Sequence, residues 1–78
     1  MREKHNYMVI TFHTTAEAMA MEKYCKNNGI PGRLIPVPRE ISAGCGLSWR
    51  MKTEEYVLFQ GQLSKANLEY EQVAELML

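Results

Sequence analysis

The chain carries no excess charge of either sign. Nine lysines and arginines balance nine acidic residues in 78, and no stretch gathers one sign into a block. A nucleic-acid surface needs such a basic patch, so that partner class is not expected. Long apolar runs are missing too. Met8-Val9-Ile10 is too short for a signal-peptide core or a membrane span. The reading is a cytoplasmic protein with no membrane partner. Cysteine is scarce: Cys25 and Cys45 are the two present. Without an extracellular signal they are expected as free thiols, and their spacing is not that of a thioredoxin-like C-x-x-C pair. His5 and His13 do not join them at any spacing used for zinc, so no metal is expected. There is no Gly-rich phosphate loop, no Ser/His/Asp arrangement, no repeat and no linker. No cofactor is expected either.

Residues 1–78 therefore read as one domain. A chain this short buries only about 60–65% of its unfolded surface, so its core is small. It is organised around Pro36-Val37-Pro38-Arg39-Glu40-Ile41-Ser42-Ala43-Gly44-Cys45-Gly46. Two prolines stiffen the start of this stretch. Two glycines bracket a cysteine near its end, which suggests a presented thiol. The competing view is a small buried hydrophobe, because free cysteine is among the most buried residue types.

Residues 1–6 are polar and are expected to fray. Tyr7 to His13 reads as a strand with Met8, Ile10 and Phe12 on one face and Tyr7, Val9 and Thr11 on the other. Thr14-Thr15-Ala16-Glu17 has the spacing of a capping box. The helix after it places Ala18, Met21 and Cys25 on one side, and Asn28-Gly29-Ile30-Pro31 ends it. Gly32 to Val37 is a second strand. Pro36 and Pro38 are two apart, so both lack a donor toward the same side, and the strand belongs at a sheet edge. Leu47, Trp49 and Met51 then alternate with Ser48, Arg50 and Lys52, the cleanest period-two signal in the chain. Thr53 is the expected N-cap of a second helix with Tyr56, Phe59 and Leu63 inward. Gly61 weakens that helix.

The last stretch is ambiguous. Tyr70, Val73, Ala74 and Met77 fit a helix face. Leu68, Tyr70, Ala74, Leu76 and Leu78 fit a strand interrupted by a bulge. A strand completes β-α-β-β-α-β, an α+β ferredoxin-like two-layer sandwich with the second strand at the edge. One sheet face then stays uncovered, and a homodimer is expected, packed sheet on sheet or pairing edges away from Pro36 and Pro38.

Cys45 is the residue expected to carry chemistry. Arg39 is the nearest cation in sequence and the expected stabiliser of its thiolate. Arg33 and His13 are candidates to help, and Gly44 and Gly46 to admit backbone N–H groups to an anion. Arg50 is a further cation that could converge. Cys25 reads as core.

The segments Tyr7-x-x-x-x-Phe12-His13-Thr14-Thr15, Ala18-Met19-Ala20-Met21-Glu22-Lys23, Gly29 to Arg39 and Ile41 to Leu47 resemble a small bacterial family once called DUF3343, now described as selenium/sulfur carrier-like. The resemblance is strongest from Gly29 to Leu47. It implies that Cys45 holds sulfur or selenium as a persulfide or selenosulfide and passes it to a protein partner. A carrier of this kind is favoured over an independent enzyme, since one thiol without a recognisable base is thin support for turnover. The alternative is a small interaction or regulatory module with a structural cysteine.

Overall fold

The computed structural model describes residues 4–41 and 44–78. Its elements are β1 (Asn6–Thr11), α1 (Thr15–Asn27), β2 (Arg33–Pro36), β3 (Leu47–Lys52), α2 (Thr53–Lys65) and β4 (Gln72–Met77). The sheet order is β2-β3-β1-β4, and every neighbouring pair is antiparallel. This is the ferredoxin-like arrangement, with β2 at one edge and both helices on one face. No helix among the described residues is long and apolar enough to cross a membrane.

Helix α1 starts where its cap requires. Thr14 is extended (φ −138°), and its Oγ1 accepts the Glu17 N–H at 3.2 Å. The Glu17 carboxylate reaches back past the cap to the His13 N–H at 2.7 Å. At the other end Gly29 takes φ +66°, and the Ile30 N–H folds back to the Cys25 carbonyl at 2.9 Å. That six-to-one bond closes the helix, as expected for glycine just past the last turn. Ala18, Met21 and Cys25 are the buried side.

Strand β2 pairs only with β3. The Val37 N–H donates to the Gly46 carbonyl at 3.1 Å. Since N–H direction alternates along a strand, Pro36 and Pro38 both turn their missing donors to the open edge. In β3, Trp49 and Met51 are buried against the helices with Phe12 and Ile10 of the β1 segment. Truncating Trp49 or Phe12 to Ala would cost about 3–5 kcal/mol, against a total of roughly 4–12 kcal/mol for a domain of this length. The indole N–H of Trp49 is buried without a hydrogen-bond partner among the described residues.

Three expectations need correction. Thr53 is the first residue of α2, not its cap. Lys52 caps the helix through its backbone, its N–H bonding Glu55 Oε1 at 3.1 Å, and Thr53 Oγ1 donates to Glu75 at 3.1 Å instead. The start of the chain is not frayed from His5 onward. His5 exchanges both backbone bonds with Leu78, each at 3.0 Å, and Asn6 already lies in β1; residues 1–3 lie outside the described part. Finally, β4 is a strand without a bulge. Its register against β1 runs unbroken from Asn6↔Met77 to Thr11↔Gln72. Val73 packs on the core, while Ala74 and Leu76 take the opposite face. The edge of β1 offers a full ladder of donors and acceptors, which outweighs the local helical preference of this stretch.

Candidate functional site

The site lies where three connections meet at one end of the sheet. The segment after β1 carries His13 and the start of α1. The β2–β3 loop carries Arg39 and Cys45. The segment before β4 carries Glu71. The loop is held by its backbone. The Ile41 N–H closes a turn on the Pro38 carbonyl at 3.2 Å, and the Cys45 N–H donates to the Phe12 carbonyl at 3.2 Å. The Gly44 N–H donates to Glu71 Oε1 at 3.2 Å, and the Glu71 N–H bonds the Thr11 carbonyl at 2.7 Å. Glu71 therefore ties the loop to the end of β1. Ser42 and Ala43, part of the same stretch, lie outside the described residues.

Cys45 is not openly presented. Its residue is about 7% exposed and joins the core cluster on the helix side. A residue at the tip of the loop would be open. This one has already returned to the line of β3, with its N–H on Phe12. Its Sγ sits beside the first residue of α1. The Thr15 hydroxyl lies 3.8 Å away, and the Leu47 N–H points at the sulfur from 3.4 Å. A helix start is the positive end of the peptide dipole, so the sulfur has a donor-rich side as well as an apolar one.

The two glycines have different roles. A Cβ on Gly44 would lie 3.2 Å from the His13 carbonyl oxygen, so glycine there permits close approach of the two chain segments. Its N–H is taken by Glu71. A Cβ on Gly46 would meet nothing within 4 Å.

His13 borders the site through its backbone. Its ring is 3.1 Å from Glu17 Oε1 by way of Nδ1 and is more than half exposed. Burial pushes the Glu17 carboxyl up, but the His13 N–H and ring, with the Thr14 N–H, outweigh it and hold the group below its ordinary range. Arg39 is exposed on the loop and forms no hydrogen bond or ion pair among the described residues. Arg33 and Arg50 are not brought to the thiol. They pair in register on the sheet face away from the helices, where Arg50 lies 4.5 Å over the Tyr7 ring. Cys25 is fully buried under α1, its thiol directed at the Met21 sulfur at 3.8 Å. Burial pushes that thiol up to about 11.

A cavity of about 650 Å3 lies elsewhere, between α2 and the sheet, with Tyr56, Gln60, Leu68 and Tyr70 in its walls. Cys45 does not line it. Among the described residues no group of His, Cys and Glu is placed to hold a metal ion.

Residues 7–75 match a family described as "Putative Se/S carrier protein-like". The chain belongs to that family. No match was found among curated proteins or among solved structures. The match takes in the whole site, from the end of β1 through the loop to Glu71. Three contributors were missed in the sequence: Thr15, the Leu47 N–H and Glu71. Thr15 was visible as part of the capping box. The Leu47 N–H reaches a sulfur two residues back, which depends on how the Cys45 side chain is turned, and Glu71 reaches Gly44 across 27 positions of chain, which no local pattern carries.

Proposed function

We propose that the protein carries sulfur or selenium on Cys45, as a persulfide or selenosulfide, between protein partners in the cytoplasm. The observation that supports this best is the position of Sγ between the Thr15 hydroxyl and the Leu47 N–H at the start of α1. Both can donate to a negative sulfur. Family membership points the same way. In loading, the Cys45 thiolate attacks the outer sulfur of a donor persulfide. The donor's S–S bond breaks, a new one forms on Cys45, and the donor departs as a thiolate. An acceptor thiolate repeats the step in the other direction, and Cys45 is returned. Selenium follows the same course as the outer atom. No external oxidant is needed, and the protein hands the atom on unchanged in oxidation level, as a carrier rather than an independent enzyme. Arg39, exposed on the same loop, is the cation assigned to the outer atom. Arg33, on the opposite face of the sheet, has no part in this step.

The burial of Cys45 favours a second reading, an interaction module whose cysteine is structural. Alkylation separates the two. With iodoacetamide near neutral pH, the carrier reading expects Cys45 to label well ahead of Cys25 in the folded protein. Equal, slow labelling of both thiols selects the structural cysteine.

A further inference from the structure

The face of the sheet without helices has a one-sided chemistry. The registers turn Tyr7, Val9 and Thr11 of β1 to this side, with Arg33 and Ile35 of β2. From β3 come Ser48, Arg50 and Lys52, and from β4 come Gln72, Ala74 and Leu76. Three of these are cations, and none is acidic. The neutral charge of the whole chain hides this segregation, because Glu17, Glu22, Glu54 and Glu55 belong to the helices and Glu75 points to the helix side. On this face Val9 is sealed in β1, Ala74 and Leu76 are half-buried on the edge strand β4, and Ile35 is half-buried on the other edge strand β2. Arg33 and Lys52 stand exposed at the margin of the face, and Arg50 lies over Tyr7.

We infer that this face docks a partner protein whose surface sets carboxylates, among aliphatic side chains, against these three cations. Charge selects that occupant. A second copy stacked on the same face would set the three cations of each chain against their equivalents, and such like-charge juxtaposition is a means of rejecting partners. Size agrees. Four strands at about 4.8 Å spacing and six residues at about 3.3 Å give a face of roughly 400 Å2. Two such faces bury about 800 Å2, below the roughly 1,200 Å2 of stable complexes and in the range of transient encounters. A single-stranded nucleic acid would want aromatic platforms for its bases. Here Tyr7 is the one aromatic side chain turned to this side by the four strands, and Arg50 already lies over it. Docking on this face does not depend on the chemistry of Cys45, which lies on the helix side.

The test is site-specific photo-crosslinking of the full chain in its native host. A photoreactive residue replaces Ile35 on the face or, as control, Leu58 on the outer side of α2, which is 77% exposed. The expected result is an adduct from position 35, not from 58, to a different protein. Its crosslinked peptide should lie in a segment rich in Asp and Glu. Adduct yield should fall at least fivefold in the Arg33→Glu/Lys52→Glu variant. Both residues are exposed, so unchanged Trp49 fluorescence can confirm that the variant is folded. Yield should also fall when the wild-type complex is reconstituted at raised salt. A self-adduct, an adduct removed by ribonuclease, an adduct to a surface without excess carboxylates, an adduct that survives charge reversal, or none at all overturns the inference. Persulfide loading of Cys45 by a small-molecule donor should be unchanged in the double variant, so failure of docking and failure of the carrier reading give different results.

Discussion

Cys45, at the proposed centre, is 7% exposed, so its chemistry depends on local opening of the loop that carries it. Glu71→Ala probes that opening directly. The Glu71 carboxylate accepts the Gly44 N–H at 3.2 Å, next to Cys45, while its backbone stays fixed on Thr11. The bond is exposed, so its net worth is about 1 kcal/mol. When opening and closing are fast relative to alkylation, the rate follows the open population. Loss of about 1 kcal/mol then raises that population roughly fivefold at 25 °C. The assay is iodoacetamide labelling of the folded protein, read by mass spectrometry separately for Cys45 and Cys25. Cys45 should label about fivefold faster in Glu71→Ala. Cys25, fully buried in the core, should not change. Glu71→Gln keeps an acceptor oxygen and should lie nearer the wild type. An unchanged Cys45 rate would show that Glu71 does not hold the loop. Equal acceleration of both thiols would show global destabilisation instead.

Other substitutions and conditions test the fold that positions the site. Gly61→Ala in α2 should stabilise by up to about 1 kcal/mol in urea denaturation, since a Cβ there meets nothing within 4 Å. Gly32→Ala should do the reverse, by about 2–4 kcal/mol, because φ is +140° and the added Cβ would lie 2.6 Å from the Trp49 ring; Trp49 fluorescence reports the transition. Alkaline pH should destabilise the wild type. The Cys25 thiol is held neutral up to about 11 in the fold against an ordinary value of 9.0, so the unfolded chain ionises first, and stability should fall as pH rises from about 9 to about 11. The Cys25→Ala variant should lose this part of the slope in denaturation curves measured across that range.

The architecture was legible where local chemistry dictates it. Thr14 and Gly29 set the two ends of α1, and the spacing of Pro36 and Pro38 placed β2 at an edge. The strand at the end of the chain was legible only through the pattern of the elements before it, because its partner β1 lies more than sixty residues away. The site was partly legible. Gly44-Cys45-Gly46 marked the place, and Thr14-Thr15 marked the helix start that meets it. Its solvent exposure was not legible. Glycine neighbours suggested an open thiol, yet the Cys45 N–H on Phe12 turns the side chain inward. The placing of the cations was not legible either. Arg39 stays on the loop of Cys45, exposed and without a bond to the thiol among the described residues, and Arg33 falls on the far side of the sheet, because a strand alternates its faces with every residue.

The carrier account meets its most direct test in one measurement. The folded protein is incubated with a cysteine desulfurase and cysteine, and each thiol is then read by peptide mass spectrometry before and after reduction. A carrier should show one reducible sulfur adduct, on Cys45, absent from Cys45→Ser and lost when an acceptor thiol is added. An adduct on Cys25, an adduct that persists in Cys45→Ser, or an unmodified Cys45 would contradict it.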